Sequence, residues 1–144
     1  MATKIIESES STPLYHIFCI NTSLNDYRFC WAFNEALQLN LTRMEDVSLT
    51  ESLQSFSVYR DNETMQPLTY YLLSLKSGNR ELIKELASFD YLLCVEGQLS
   101  DSTLSTILAQ ASDIKNVLLV TKLDKNLIKP TTIAELSYLI EMIG

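Results

Sequence analysis

The sequence predicts a single α+β domain, a mostly antiparallel sheet of five or six strands with two or three helices packed on it. Short apolar runs rich in β-branched and aromatic residues are typical of strands, and they recur along the chain. Segments with apolar residues at helical spacing lie between these runs. The 144 residues, 47% of them hydrophobic, suit one domain with a substantial core. We therefore expect a flexible N-terminal tail at 1–12 and one domain at 13–144.

The first half of the chain predicts a strand, a helix and a central hairpin. The run "LYHIFCI" (14–20) is almost continuously apolar, which indicates a buried strand. Asn25 is a suitable N-cap and Asp26 would meet the positive end of a helix dipole, so we expect a helix over 25–39. The segment "LTRMEDVSL" is a weaker strand candidate. The segments "LQSFSVYRD" and "LTYYLLSLK", joined by the turn-forming "DNETMQP", predict an antiparallel hairpin.

The second half predicts two more strands and two more helices. The segment "SGNRELIKELAS" predicts a turn at 77–79 and a short helix, and "FDYLLCVEG" is the most apolar strand candidate. "SDSTLSTILAQASD" predicts a capped helix over 100–112, and "NVLLVTKL" a second buried strand. Pro130 precedes an amphipathic C-terminal helix at 131–143, where Thr132 and Glu135 have capping-box spacing. This helix either covers the sheet or serves as a docking or dimerisation face.

Two strand–helix segments resemble each other. A shift of 75 positions lays "HIFCINTSLNDYRFCWAFNEAL" over "YLLCVEGQLSDSTLSTILAQAS". Cys19 then meets Cys94, and Asp26 meets Asp101. Both segments consist of an apolar run, a polar turn and a capped helical pattern. We predict two strand–helix units that flank the central hairpin, and a βα pseudo-repeat is one interpretation of the pair.

Charge and composition argue against several classes of function. Eighteen acidic residues against eleven basic ones give a net charge of −7, which repels phosphate backbones and anionic membranes. We therefore expect neither nucleic acid nor a membrane as a partner. The N-terminus lacks the pattern of a signal peptide and no segment has about 20 apolar residues, so we expect a cytoplasmic location. His16 is the only histidine and the three glycines form no phosphate-binding loop, so we expect no metal and no cofactor.

No constellation of residues predicts catalysis. His16, Cys19 and Cys30 lie in apolar segments, whereas a nucleophilic thiol needs an exposed, electropositive setting. Most carboxylates suit solvated faces and helix caps. Asp90 is the exception, because it stands at the entrance to the most apolar strand, where a carboxylate needs a partner. It either caps backbone amides there or has a functional role, and we expect no enzyme.

The segment "DYRFCWAFNEAL" contains more aromatic residues than one helix packed on a sheet requires. At helical spacing Phe29 and Phe33 share a face and are expected in the core, while Tyr27 and Trp31 fall on an adjacent face beside Arg28. The tyrosines of the hairpin either pack across strands or form an exposed platform. The candidate partner or ligand surface comprises Tyr27, Arg28, Trp31, Tyr59, Tyr70 and Asp90.

The stretch "ELIKELASFDYLL" resembles the motif of the IPExxxVDY family, small proteins of Bacteroidetes. Lys84 stands where the family has proline, and Phe89 where it has valine. The matching positions are Ile83, Glu85, Asp90 and Tyr91. The segments "LNDYRFCWAFNEAL", similar to the family's DYR-x-CW helix, "FSVYRD" and "YYLLS" extend the resemblance over most of residues 14–121. The resemblance implies a bacterial, cytoplasmic protein, and it carries over no catalytic or binding residue.

Two functional hypotheses follow, with an enzyme as a less favoured third. The first is a non-enzymatic interaction or adaptor module that works through a protein partner or as a homodimer. The second is a small-molecule-sensing regulatory domain, because two strand–helix units around a sheet are similar to ACT-like and ferredoxin-like layouts in topology alone. A pocket lined by Tyr59, Tyr70 and Arg28 would favour the second hypothesis.

Overall fold

The computed structural model describes residues 15–47, 55–78, 80–124 and 128–143, and the predicted tail at 1–12 lies outside them. The strands are β1 (Tyr15–Thr22), β2 (Thr42–Arg43), β3 (Val58–Asp61), β4 (Thr69–Ser74), β5 (Lys76–Ser77), β6 (Arg80–Glu81), β7 (Tyr91–Glu96) and β8 (Val117–Lys122). The helices are α1 (Asp26–Leu37), α2 (Asp101–Ser112) and α3 (Pro130–Ile143), with one 3-10 turn at Lys84–Leu86. The α+β prediction is confirmed.

The main sheet has six strands in the order β2-β3-β4-β7-β1-β8, and every neighbouring pair is antiparallel. The predicted central hairpin is β3–β4, with Val58 opposite Leu73 and Asp61 opposite Tyr70. Strand β7 lies between β4 and β1 and is buried from Tyr91 to Val95. A strand covered on both faces must be apolar on both, which explains why this segment is an unbroken hydrophobic run.

Helices cover both faces of the sheet. On one face, α1 and α2 pack over a core that contains Phe18, Ile20 and Leu93. Phe29 and Phe33 of α1 are fully buried there, as predicted. On the other face, Leu136 and its neighbours in α3 are buried in a second core with Leu73 and Leu92. The C-terminal helix therefore covers the sheet of its own chain, which is the first of the two predicted alternatives.

The beginning of α3 differs from the predicted capping box. The helix begins at Pro130, so Thr132 is its third residue and not its N-cap. The Thr132 hydroxyl donates a hydrogen bond to the Glu85 carboxylate, which also accepts one from the Lys129 backbone N–H at 3.2 Å. Glu85, 47 positions away from Thr132, binds the start of α3 from the 3-10 turn. A local sequence pattern cannot show a partner so distant in sequence. The short helix predicted in "SGNRELIKELAS" is a single 3-10 turn, Lys84–Leu86.

Strand β8 is not the buried strand that its sequence predicts. It lies at the edge of the sheet and pairs with β1 alone among the described strands. Leu118 is 76% exposed and Leu119 49% exposed, while Val120 is buried. An apolar run indicates a strand, but whether it is central or at an edge depends on the order of strands in the sheet.

The two predicted strand–helix units are present. Helices α1 and α2 both have 12 residues, and their first residues, Asp26 and Asp101, are 75 positions apart. Strands β1 and β7 are antiparallel neighbours. Because β1 lies between β7 and β8, the connection β7–α2–β8 is a split βαβ unit, as in ferredoxin-like folds. Five described strands, β2 to β6, separate α1 from β7, so the analogy with the β-α-β-β-α-β order is limited to that one unit.

Candidate functional site

An open groove runs between α1 and the loop that joins α2 to β8. Its volume is about 370 Å³. Tyr27 and Trp31 provide its aromatic surface and are 78% and 63% exposed. We call it the aromatic groove, and its lining consists of Leu24, Tyr27, Arg28, Trp31, Ala32 and Lys115. Three of the six residues predicted as a candidate surface, Tyr27, Arg28 and Trp31, meet here.

The core-facing side of α1 fixes which residues face the groove. Phe29 and Phe33 form an edge-to-face pair with ring centroids 5.7 Å apart, and Phe29 also packs on Tyr91 at 4.7 Å. With those rings turned inward, helical geometry turns Tyr27 and Trp31, one turn apart, toward solvent. The Asn25 side chain accepts a hydrogen bond from the Arg28 backbone N–H at 3.0 Å, which caps the helix as predicted.

A hydrogen-bonded cluster anchors the first turn of α1 to the sheet. Asp26 accepts hydrogen bonds from the Tyr91 hydroxyl at 2.6 Å and from the Ser57 hydroxyl at 2.5 Å. Burial, followed by this hydrogen bond and the nearby Asp26 charge, raises the pKa of Tyr91 well above its ordinary value, so the phenol stays protonated and donates. The aromatic groove is therefore presented on a helix whose position is fixed at its N-terminus.

The groove combines aromatic rings with positive charge in an otherwise acidic chain. Arg28 and Lys115 line it, and no acidic residue belongs to its lining. The whole chain carries a net charge of −7. Exposed Trp and Tyr offer large, rigid contact surfaces, and a guanidinium binds carboxylates with two parallel hydrogen bonds. The arrangement is suited to an apolar group with a carboxylate beside it.

The hairpin tyrosines do not form an exposed platform. Tyr59 and Tyr70 are buried in the core beneath α1 and α2, and Tyr71 is buried on the opposite face of the sheet. Burial raises the pKa of Tyr59 and Tyr70, which keeps both phenols neutral. Arg28 is exposed, so the predicted pocket of Tyr59, Tyr70 and Arg28 is absent from the described residues. Cross-strand packing, the other interpretation, applies.

Asp90 lies apart from the groove and binds backbone. Its carboxylate accepts hydrogen bonds from the Thr22 backbone N–H at 2.9 Å and from the Asn21 side-chain amide at 3.4 Å. The ammonium of Lys76, an exposed residue, lies 3.2 Å from the same carboxylate. The register of β1 against β8 shifts between Asn21 and Thr22, and Asp90 supplies the hydrogen bond that this irregularity requires. Of the two predicted roles for Asp90, the structure shows the capping one.

The motif that resembles the IPExxxVDY family consists of residues that connect separate elements. Glu85 binds the start of α3, Asp90 binds the end of β1, and Tyr91 binds the start of α1. The hydrogen bond from Thr132 is the main cause that lowers the pKa of Glu85. These three side chains therefore hold separate helices and strands together through hydrogen bonds, and none of them lines the aromatic groove.

The thiols are not activated as nucleophiles. Burial raises the pKa of Cys19 and of Cys30 to about 11, so both are protonated at neutral pH. Cys30 lies in the core beneath α1, and Cys19 in the core beneath α3. The described residues contain no group of three or more His, Cys, Asp or Glu side chains arranged to hold a metal ion.

A second depression, about 560 Å³, lies beside the start of α3. Its charged lining residues are Arg80, Glu81, Lys84, Glu85, Lys129 and Glu135. Three positive and three negative side chains balance one another, and Glu85 already occupies the N-terminus of α3. This depression therefore shows no selectivity for an anion or a cation.

No helix within the described ranges is long and apolar enough to cross a bilayer. The chain matches no protein-family model and no curated protein by sequence.

Proposed function

We propose that this chain is a non-enzymatic interaction module and that the aromatic groove binds a segment of a partner protein. The observation that carries the proposal is the exposure of Tyr27 and Trp31 on a helix that is anchored to the sheet. Large aromatic residues exposed side by side are typical of binding surfaces, because leaving them in water is unfavourable unless a partner covers them.

The second strand–helix unit supports this interpretation. The positions of α2 that correspond to Tyr27, Arg28 and Trp31 are Ser102, Thr103 and Thr106. Helix α2 packs on the same face of the sheet with these small polar residues exposed. Packing on this sheet therefore does not require aromatic residues at those positions, and a role in binding accounts for them.

The charge of the groove indicates the chemistry of the partner segment. Arg28 and Lys115 flank the two rings in a chain of net charge −7. A segment with an aromatic or aliphatic side chain beside a carboxylate would bury the apolar group on Trp31 and pair its charge with Arg28. A basic segment would meet the same cations and, elsewhere, the acidic surface.

Comparative affinity capture from the native host tests the proposal. The double substitution Tyr27→Ser/Trp31→Thr gives α1 the residues that α2 has at the same positions, so we expect the fold to be retained. Tyr138→Ala is the matched control, because Tyr138 is an aromatic residue of α3 with 57% exposure. We expect a partner that the wild type and Tyr138→Ala recover and that the double variant loses.

Fluorescence gives a second readout with the purified partner. Trp31 is the only tryptophan, so the emission of the protein reports the groove directly. We expect a blue shift on binding, as the indole leaves water. A partner that the double variant retains, or one whose binding leaves the emission unchanged, would contradict the assignment of the groove. A monomeric protein that recovers no partner would contradict the interaction module itself.

A small-molecule-sensing domain is the second candidate, and the size of the groove favours it. A volume of about 370 Å³ falls within the usual range of ligand sites, roughly 300–1,000 Å³. A thermal-shift screen with aromatic carboxylates tests it. Stabilisation of the wild type but not of Tyr27→Ser/Trp31→Thr would support this candidate, and no stabilisation by any compound would reject it.

We also propose that the chain belongs to the IPExxxVDY family and works in a bacterial cytoplasm. The roles of Glu85, Asp90 and Tyr91 in joining α3, β1 and α1 give a physical reason for a fold family to share these residues. The thiols of Cys19, Cys30 and Cys94 are buried and form no disulfide, which suits a reducing compartment. Fractionation of host cells with an antibody to the protein checks the location.

A further inference from the structure

The N-terminal segment, residues 1–14, lies outside the described residues and precedes β1, which begins at Tyr15. Its sequence is MATKIIESESSTPL. Two consecutive apolar residues, Ile5 and Ile6, are followed directly by Glu7 and, two positions further, by Glu9. An apolar group beside a carboxylate is the combination that suits the aromatic groove.

We infer that residues 5–9 of this chain bind in its own aromatic groove and compete there with the partner segment. The isoleucines cover the exposed rings of Tyr27 and Trp31. The carboxylates pair with the two cations of the lining, Arg28 and Lys115. The binding is a property of the chain alone, whereas the competition rests on the function proposed above.

Charge complementarity favours this occupant. The lining of the groove carries two positive side chains and no negative one, while the chain as a whole carries −7. Glu7 and Glu9 are therefore repelled by the net charge of the chain and attracted by the groove. From Ile5 to Leu14 the N-terminal segment contains no positive residue, and its one basic side chain, Lys4, stands on the other side of the isoleucines from the carboxylates.

The apolar pair is separate from the apolar run of β1. Six polar residues, 7–12, and Pro13 lie between Ile6 and the strand sequence. The isoleucines are therefore not an extension of the buried strand, and exposed aromatic rings are the kind of surface on which such a pair leaves water.

The N-terminal segment is long enough to reach the groove. Ten positions separate Ile5 from Tyr15, and an extended chain covers about 3.3 Å per residue, roughly 33 Å in all. Strand β1 has eight residues and is about 23 Å long, and a helix is about 10 Å thick. Helix α1 follows β1 after three residues and packs back over the sheet. A path along the whole of β1 and over α1 is therefore within the reach of Ile5.

The two internal stretches of more than one residue outside the described ranges do not suit the groove. Residues 48–54 lie between Val47 and Phe56, which are bridged to each other and belong to the core on the α3 face of the sheet. Residues 125–127 lead into α3 on the same face. The aromatic groove lies on the opposite face, so the N-terminal segment is the one to supply an occupant from within the chain.

An occupant from the same chain weakens the partner without excluding it. A short linker gives an effective concentration in the millimolar range, so a weak contact fills the groove for part of the time. The apparent Kd of the partner then rises in inverse proportion to the free fraction of the groove. An occupancy of roughly two-thirds to nine-tenths would weaken the partner about three- to tenfold.

The emission of Trp31 in the full chain tests the binding. Trp31 is the only tryptophan, and the N-terminal segment contains no aromatic residue, so the emission reports the groove. Ile5→Ser/Ile6→Ser removes the apolar contact. We expect its emission to shift to the red and its quenching by acrylamide to rise about threefold, in proportion to the free fraction of the groove. Ile5→Leu/Ile6→Leu is the matched control, because it retains the apolar surface and should behave as the wild type does.

Charge reversal tests the pairing. Glu7→Lys/Glu9→Lys should release the N-terminal segment and shift the emission to the red, since ammonium groups then face the cations of the groove. Adding Arg28→Glu to this variant places opposite charges together again and should shift the emission back. A synthetic peptide of residues 1–12, added to Ile5→Ser/Ile6→Ser, should also shift the emission back.

Equal emission and quenching of the wild type and Ile5→Ser/Ile6→Ser would overturn the inference. So would a difference that disappears when the wild type is diluted, which would mean that a second copy supplies the segment. Partner capture separates this inference from the proposed function. A partner that binds the wild type and Ile5→Ser/Ile6→Ser equally well would overturn the competition alone, whereas the proposed function fails only if Tyr27→Ser/Trp31→Thr retains the partner or no partner is recovered.

Discussion

The two strand–helix units share a framework and differ on their outer surfaces. Helices α1 and α2 have equal length, begin 75 positions apart, and are capped by Asn25 and Ser100, each accepting a hydrogen bond from the backbone N–H three residues on. Helix α1 buries Phe29, Cys30, Phe33 and Leu37, whereas α2 buries only Ile107 and Ala111. Helix α1 thus holds the larger share of the core while its outer side holds the aromatic groove.

This difference separates residues that the fold requires from those that it does not. The capping residue and an apolar inner side occur in both units, so they belong to the architecture. Tyr27 and Trp31 occur in the first unit only, and Ser102 and Thr106 replace them in the second without loss of the helix. We therefore expect substitutions in α1 to divide into two classes, one that affects stability and one that affects binding.

The largest expected difference is in the core. Phe33 is fully buried and its counterpart in α2, Leu108, is only partly buried. Phe33→Ala leaves a large cavity and should lower the free energy of unfolding by about 3–5 kcal/mol, whereas Leu108→Ala should cost about 1–2 kcal/mol. Urea denaturation of both variants measures this. Equal losses would mean that the two units contribute equally to the core.

The next difference is at the first residue of each helix. Asp26 accepts hydrogen bonds from Tyr91 and Ser57, whereas Asp101 is exposed. Asp26→Ala should destabilise the protein by about 2–3 kcal/mol, because a charged acceptor is removed and the buried Tyr91 hydroxyl loses its closest partner. Asp101→Ala should cost less than about 1 kcal/mol, the value of a charge at a helix terminus. Thermal or urea unfolding distinguishes the two, and a similar cost for both would argue against the anchoring role of Asp26.

Local sequence patterns predicted much of this fold. The periodicity and caps predicted α1 and α2, and alternation with turn residues predicted the β3–β4 hairpin. The patterns also placed Tyr27, Arg28 and Trp31 together on one side of α1, because that relation spans a single helix. Each of these features depends on residues that are close in sequence.

The features that sequence did not predict depend on distant contacts. Lys115 belongs to the aromatic groove only because the α2–β8 loop folds back beside α1. The edge position of β8 and the binding of Glu85 to the start of α3 likewise follow from strand order and packing. The sequence leaves two interpretations of Tyr59 and Tyr70, and their burial in the core beneath α1 and α2 decides between them.

The two units also differ in the group that holds the loop after each helix, which is a carboxylate in the first unit only. The loop after α1 is held by Asp61, which accepts hydrogen bonds from the backbone N–H groups of Asn40 at 2.7 Å and of Glu63 and Thr64 at 3.0 Å. Burial acts to raise the pKa of Asp61, but the hydrogen bonds from Thr64, Asn40 and Glu63 together outweigh it and lower that pKa to about 2. The loop after α2 is instead held by the Thr22 hydroxyl, which donates to the Asn116 carbonyl at 2.8 Å.

The free energy of unfolding should therefore decrease at low pH, because the loop after α1 is held by the Asp61 carboxylate. The pKa of Asp61 is lower in the folded state than in the unfolded state, so its contribution is present above about pH 4 and is lost as pH falls toward 2. Wild type should exceed Asp61→Asn by about 2 kcal/mol at neutral pH, and the gap should close at low pH. As a local control, amide protection at Asn40 should fall with acid more than at Ser23, whose N–H bonds to Asn116. A gap that does not change with pH would contradict the assignment to Asp61.

The smallest expected effect concerns the entrance to the second unit. Lys84 begins the 3-10 turn before β7 and stands where the IPExxxVDY motif has proline. The turn forms nonetheless, and the residue before it, Ile83, has φ −132° and ψ 118°, the extended conformation that proline imposes on its predecessor. Proline is also well suited to the first position of a helical turn, where its missing N–H has no partner to lose.

Lys84→Pro should therefore stabilise the protein by about 0.4–1 kcal/mol, because it restricts the unfolded chain, and urea denaturation measures the gain. Leu82→Pro, just after β6, is the control, since the Leu82 backbone N–H donates a hydrogen bond to the Leu75 carbonyl at 2.9 Å and a proline there should destabilise the protein. A loss of stability in Lys84→Pro would mean that the bend before Asp90 has a different shape from the one that a proline sets.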